Sequence, residues 1–348
     1  MRLERRTETP AALRLAAPVA ALVFTLLVTS LLVAWAGAPV ARAYALLLEG
    51  GFGSRFALTE TLTRATPLVF TGLAAAVAFR ARLFNIGAEG QLYAGALAAV
   101  AVGGLDGVLA PPLLFAAMLA AAALAGALLL LGPALLKSRL GVDEVVTTLL
   151  LNFIVLLGVS ALLDGPMKDP TAMGWPQSVA LPDSLQLGRL VERSRVHTGL
   201  LGALAAALGL WALLRFTGTG FEIRAVGANA RAARFAGMPV GWVTLKVALL
   251  SGALAGLAGA VEVAGRAGYV TLDMSPGVGY GGIVIAMLAM LHPLGVVAAA
   301  VFVAGMLVGA HSMGRAVGVP TYIADVIVAV ALLAMLVATM FTQYRVRR

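Results

Sequence analysis

The sequence predicts an all-α integral membrane protein, a bundle of about ten transmembrane helices. Three observations carry that prediction. Of 348 residues, 61% are hydrophobic and 12% are charged, against about a quarter charged in a soluble domain. The apolar residues fall in runs of roughly 20, the length needed to cross a hydrocarbon core. The Lys and Arg residues sit at the ends of those runs, where membrane orientation accounts for them. The formal net charge of +9 is therefore no argument for a nucleic-acid partner.

The spans follow in order. Arg2, Arg5, Arg6 and Arg14 accompany an apolar run to Trp35 that is too long for a signal-peptide core, so it reads as a retained first span with its N-terminus inside. Ala38 to Ala65 is mixed, with Glu49, Arg55 and Glu60, and is expected along the outer surface. Span two covers Pro67 to Phe79 and ends at Arg80 and Arg82. Span three starts near Phe84 and ends at Gly103 and Gly104, and span four runs from Val108 to Leu131, before Lys137 and Arg139. Span five covers Glu144 to Leu163. Residues 164–196 form a Pro- and Gly-containing external loop able to fold as a small cap. Span six is His197 to Leu214, and a basic loop at 215–242 leads into span seven, Val243 to Ala264. Gly265 to Gly279 reads as an external turn. Tyr280 to Leu291 is short and broken by His292-Pro293, the pattern of a broken or re-entrant helix lining a cavity. Leu294 to Ala310 and Tyr322 to Met340 complete the set, with Arg345, Arg347 and Arg348 inside. The whole chain, 1–348, reads as one transmembrane domain with both termini cytoplasmic.

The basic loop at 215–242 interrupts a very apolar chain. Asn229 is an N-cap candidate, Ala230 to Ala236 are mostly helix formers, and Gly237-Met238-Pro239 is a stop signal. A helix of about two turns is marginal alone in water. Ala232, Phe235 and Ala236 share one face and offer a small apolar ridge to a docking partner. A short cytoplasmic helix of this kind suits a lever gripped by another protein. The positive-inside rule makes an ordinary basic loop an equal alternative on these residues alone.

Two polar constellations lie at predicted membrane depth. In Phe84 to Gln91 (FNIGAEGQ), a helical reading puts Asn85 and Glu89 on one face. A carboxylate at mid-span costs about 2.5 to 3.5 kcal/mol, so Glu89 should face the protein interior or a wet path. The structural alternative is that Asn85 caps span three and Glu89 interacts with its first turn. Glu144, Thr148 and Asn152 are spaced i, i+4, i+8, a stripe that must line a cavity or bond a neighbour. Glu262, Asp273 and Asp325 stand near span ends, where solvated or capping roles suffice.

Other patterns carry little. Gly252 and Gly256 match a small-residue packing motif, a weak signal among 40 glycines. Gly277 to Gly282 fits GxGxxG without the βαβ context that motif needs. Lys137-Ser138 lacks the glycines of a phosphate-binding loop. There is no cysteine, and His197, His292 and His311 are far apart, so no metal-ligand spacing appears. No hydrolase motif appears either, and the chain is expected to be no enzyme and to hold no cofactor.

Three stretches carry a family resemblance: Phe84 to Gln91, Gly141 to Phe153 (GVDEVVTTLLLNF) and Gly227 to Met238 (GANARAARFAGM). They resemble permease subunits of bacterial ABC importers, the family of ribose and branched-chain amino acid permeases, and most closely its nucleoside and simple-sugar branch. Gly277 to Gly295 is similar to that branch's glycine-rich segment. The resemblance implies a type II importer-like bundle in the bacterial inner membrane and transport of a nucleoside or a simple sugar such as ribose. It implies a coupling helix at Gly227, Asn229, Arg231, Ala232, Ala233, Arg234, Phe235 and Gly237. It also implies four kinds of partner: a cytoplasmic ABC ATPase carrying ATP and Mg, a second related permease, an extracytoplasmic substrate-binding protein and the lipid membrane. Asn85, Glu89, Gln91, Glu144, Thr148 and Asn152 are the expected substrate pathway. Two positions depart from the branch, Ala230 where Pro is common and Asp143 where Asn is frequent. An ion-coupled secondary transporter, with Glu89, Glu144 and Asp325 as ion sites, is the reading from another class.

Overall fold

A computed structural model describes residues 2–5, 11–318 and 320–347; Arg6 and Arg348, both assigned to the inner side above, lie outside the described residues. The described residues form thirteen α-helices, in the order α1 (Ala11–Trp35), α2 (Val40–Phe52), α3 (Arg55–Arg80), α4 (Ala88–Gly103), α5 (Pro111–Leu140), α6 (Glu144–Asp164), α7 (Gly199–Phe216), α8 (Gly218–Ala228), α9 (Ala230–Phe235), α10 (Val240–Glu262), α11 (Val278–Leu288), α12 (Pro293–Val317) and α13 (Thr321–Gln343). Two four-residue strands, β1 (Arg2–Arg5) and β2 (Tyr344–Arg347), pair antiparallel with Arg2 opposite Arg347.

The helical class is as expected, and of the about ten crossings expected, long apolar helices among the described residues account for six or seven. Among the described residues, six helices are long and apolar enough to cross a membrane: α3, α5, α6, α7, α10 extended to Ala267, and α12. Val23–Trp35 and Val40–Phe52, bent by 112°, make a seventh if counted as one span. α4 has 16 residues and α11 has 11, and at about 1.5 Å per residue neither reaches across a core of about 30 Å. Ala38 to Ala65, expected as a mixed surface stretch, is largely helical. It forms α2 and the first turns of α3, which continues through Pro67 to Arg80.

The chain divides into two compact units, residues 1–61 with 301–348 and residues 62–300. In the first, Val33, Ala43, Leu47, Ala310, Met313, Ile323 and Ile327 form a buried apolar cluster. Thr29 and Tyr44 join hydroxyls across the α1–α2 bend, and Tyr44 Oη donates to the Leu26 carbonyl at 3.0 Å. Asp325 pairs with His311 at 2.9 Å.

In the second unit α10 is the central helix, packed on α5 and α4 through glycine. A Cβ on Gly256 would run into the Ala122 carbonyl and come within 3.2 Å of the Gly126 amide. A Cβ on Gly95 would lie 2.6 Å from the Gly256 Cα, and one on Gly252 would lie 2.8 Å from the Ala127 Cα. Such approach maximises dispersion contact where lipid supplies no hydrophobic drive between helices. Residues 165–198 form an ordered cap on the end of α10. Leu181 N donates to the Gly268 carbonyl at 2.7 Å, Leu187 N to that of Ala264 at 2.9 Å and Ser178 N to that of Val270 at 3.0 Å. At its tip, Asp169 accepts from the Thr171 amide and hydroxyl, which holds the carboxyl below its usual range.

Candidate functional site

The FNIGAEGQ stretch is not a helix until its end. α3 closes at Arg80, Arg82 takes a left-handed φ of 56°, and residues 83–86 run as irregular backbone before α4 starts at Ala88. Asn85 is therefore not the cap of α4, whose N-cap is Gly87. Asn85 Oδ1 instead accepts from the Gly87 amide at 3.0 Å and turns the chain into the helix.

Irregular backbone this deep cannot leave its amides bare, and the α6 stripe satisfies them. The Phe84 amide donates to Glu144 Oε1 at 3.0 Å, the Ile86 amide to Thr148 Oγ1 at 3.2 Å and the Gly90 amide to Asn152 Oδ1 at 2.8 Å. Asn152 Nδ2 returns a bond to the Ile86 carbonyl at 2.9 Å. The geometry is a match of periods. Four residues of helix rise about 6 Å, close to the span of two residues of extended chain, about 6.6 Å. Glu144 and Thr148 can therefore serve the amides of Phe84 and Ile86, while Asn152 one turn on serves Gly90 in the first turn of α4.

The remaining polar groups lock this arrangement. Asn85 and Gln91 exchange amide bonds at 2.9 Å in both directions. Asn85 Nδ2 also donates to Ser251 Oγ at 3.1 Å, and Ser251 donates to the Ala74 carbonyl at 2.8 Å. Glu144 forms an ion pair with Lys137, whose ammonium also bonds the Arg82 carbonyl at 2.7 Å. Glu89 sits in the first turn of α4, but its carboxylate serves another helix. Oε2 accepts from the Gly279 amide at 2.6 Å, at the N-terminus of α11, where the helix dipole favours an anion. Asn152 Nδ2 donates to the Tyr280 hydroxyl at 3.0 Å on the same turn.

All six residues predicted for the pathway thus converge, each buried: Asn85, Glu89, Gln91, Glu144, Thr148 and Asn152. The side-chain amides of Asn85, Gln91 and Asn152 have both ends engaged within the chain. Sequence reasoning missed Lys137, Ser251, Gly279 and Tyr280. Only Lys137 carried a usable signal, a cation seven residues before Glu144 across a Gly141 turn.

The basic loop is helical and lies elsewhere. α8 is tied to α10 by a half-exposed Glu222–Lys246 pair at 3.5 Å, the class of surface pair that contributes about 0 to 1 kcal/mol. α9 has both caps expected of it. Asn229 Oδ1 accepts from the Arg231 and Ala232 amides at 3.0 and 3.1 Å. At the other end Gly237 takes a left-handed φ of 83°, with Met238 N donating to the Ala233 carbonyl and Gly237 N to that of Arg234, both at 3.0 Å. That is a Schellman closure. Ala233 is the buried contact, whereas Ala232 and Ala236 are exposed and Phe235 is 96% exposed. Gly227 packs where α8 meets the end of α3, its Cα so close that a Cβ would strike the Arg80 carbonyl. Removing the N-cap is expected to weaken α9 locally by about 1 kcal/mol. In Asn229→Ala, hydrogen exchange at Arg231 and Ala232 should rise roughly fivefold, and unchanged exchange would refute the cap's role.

The family described as branched-chain amino acid transport system / permease component matches residues 57–340. The chain is 38% identical to a glucose ABC transporter permease of Haloferax volcanii, over 99% of this chain and 93% of the relative. It is also 38% identical to a guanosine ABC transporter permease of Bacillus subtilis, over 91% of each. A nucleoside ABC transporter permease of Lactococcus lactis is 28% identical over 90% of this chain and 88% of its own length. With a match that covers most of its length and relatives aligned almost end to end, this multi-pass membrane protein belongs to the branched-chain amino acid transport system permease component family.

Proposed function

We propose that the chain carries nucleosides, as the translocation subunit of an ATP-driven importer that alternates between outward- and inward-facing states. The observation that carries this is the match to the guanosine permease over nine tenths of both chains, supported by the nucleoside permease. A simple sugar is the second reading, favoured by the glucose permease matched over 99% of this chain.

Residues 1–348 act as one permease domain in the bacterial inner membrane, termini on the cytoplasmic side. Ten crossings are assigned to α1, α3, α4, α5, α6, α7, α10, α11, α12 and α13, with α11 a broken one in a type II importer-like bundle. Asn85, Glu89, Gln91, Glu144, Thr148 and Asn152 form the wall of the substrate pathway. Because their amides already hold the segment before α4, they shape the path more than they grip cargo. Tyr280, about a third exposed, is the group of this cluster placed to meet a ribose hydroxyl or a base.

The coupling site is Gly227, Asn229, Arg231, Ala232, Ala233, Arg234, Phe235 and Gly237. An almost fully exposed phenylalanine on a six-residue helix capped at both ends suits insertion into a cytoplasmic ABC ATPase. ATP and Mg belong to that partner, with a second related permease and a substrate-binding protein completing the assembly. The chain itself performs no hydrolysis and holds no cofactor.

Uptake of radiolabelled guanosine by proteoliposomes of the full assembly tests the reading, competed with other nucleosides and with glucose. ATP-dependent uptake blocked by nucleosides is the expected result. Competition by glucose alone would move the assignment to sugars. Uptake driven by a proton gradient without the ATPase would overturn ATP coupling.

A further inference from the structure

α11 is a rod of about 16 Å with a left-handed turn at each end. Gly277 has a φ of 83° at its start, while Met290 and Leu291 have φ of 51° and 59° just beyond its end. Two consecutive non-glycine residues in that region are a strained arrangement that persists only where neighbours hold it. Here one neighbour does so directly. Arg80 Nη2 donates to the Leu291 carbonyl at 2.8 Å, and the same residue's backbone carbonyl lies against Gly227, at the base of α9. Arg82 adds a longer bond to the Ala228 carbonyl at 3.4 Å.

The other end of α11 is held independently. Thr71 Oγ1 donates to the Val278 carbonyl at 3.0 Å, and Glu89 accepts from the Gly279 amide. Glycine brings the rod's backbone onto its supports, since a Cβ on Gly282 would lie 2.6 Å from the Thr71 carbonyl carbon and one on Gly279 2.7 Å from that of Ala88. Thr71 and Arg80 lie on α3 nine residues apart, so α11 runs alongside the last turns of α3, pinned above and below.

We propose that Arg80 is a positioning residue that transmits movement of α8 and α9 to the strained hinge at Met290-Leu291, so that α11 shifts when the coupling helix moves. Its backbone reads the position of Gly227 and its guanidinium sets the hinge carbonyl. Nothing else among the described hydrogen bonds joins the 80–82 turn to the far end of α11. The assignment rests on the transport reading above and concerns how the motion travels, not what is carried.

The chain has no cysteine, so Met287→Cys, a partly exposed position on α11, carries the one nitroxide of this chain in an assembly whose partner subunits have had their own cysteines replaced. Its spectrum should change between nucleotide-free and ATP-bound states. In Arg80→Ala that change, and guanosine uptake per ATP hydrolysed, should both fall about tenfold, within the usual range for site-to-site coupling. ATP hydrolysis itself should stay within about twofold. Arg80→Lys, which keeps a donor near the carbonyl, should restore part of both. A spectral change retained in Arg80→Ala, absent with Arg80 intact, or lost equally in Arg80→Lys overturns the proposal. If the intact assembly moves no guanosine while the spectral change depends on Arg80, the cargo assignment fails and the role of Arg80 stands.

Discussion

Gly256→Leu is expected to prevent the second unit from assembling. At this position three helices meet backbone to backbone: Ala122 and Gly126 of α5 on one side, Gly95 of α4 on the other. A single Cβ already overlaps the Ala122 carbonyl, and no rotamer of a longer side chain avoids it. Overpacking a core usually costs about 1 to 3 kcal/mol because side chains can turn aside. Backbone cannot, so α10 must move away from both partners, and the loss should exceed that range. Monodisperse protein recovered in detergent should fall at least about tenfold, in line with a loss beyond 1.4 kcal/mol. Gly241→Leu, where a Cβ meets nothing within 4 Å, is the control and should behave as the parent. Equal recovery of the two variants would show that glycine at 256 is not required for the close approach.

How much of this was legible in the chain depended on whether a feature is local. The α9 caps are local: Asn229 and Gly237 each act within four residues, and both stand where they were read. The polar stripe of α6 was equally visible as a face, but its partner was not. FNIGAEGQ allows a helical reading or a cap at Asn85, and i, i+4, i+8 spacing says nothing about whether a helix or an irregular segment receives the bonds. Glu89 is the most instructive case. A carboxylate at a helix N-terminus was the right physics on the wrong helix, because Gly279 is 190 residues away and only the fold brings it near. The Gly252–Gly256 pair was undervalued for a different reason. A short motif in a glycine-rich chain becomes informative only when the facing surface, here Ala122, Gly126 and Gly95, is known to be small as well. Length and apolarity single out six helices among the described residues as full-length spans, and α4, at 16 residues, is shorter because residues 83–86 before it are irregular backbone.

The α6 stripe makes a second strong prediction, at Asn152. Its amide serves three groups at once, the Gly90 amide, the Ile86 carbonyl and the Tyr280 hydroxyl, and it is 1% exposed. Leucine has nearly the same volume and keeps the packing, so Asn152→Leu isolates the hydrogen bonds. The hydroxyl can turn to another partner, but the amide and carbonyl are fixed in the backbone and stay buried. Each costs about 1 to 3 kcal/mol when stripped of its partner, so the start of α4 and the segment before it should lose about 2 to 6 kcal/mol of local stability. Exchange of the Gly90 amide should accelerate at least about thirtyfold, since every 1.4 kcal/mol is a factor of ten, while amides in the middle of α10 keep their protection. Asn152→Asp separates the two ends of the side chain: it retains an acceptor for Gly90 and loses the donor to Ile86, so it should fall between the parent and the leucine variant. Should Gly90 remain as protected in Asn152→Leu as in the parent, the stripe would not be what holds the start of α4, which would then be fixed by its packing on α10 and α5.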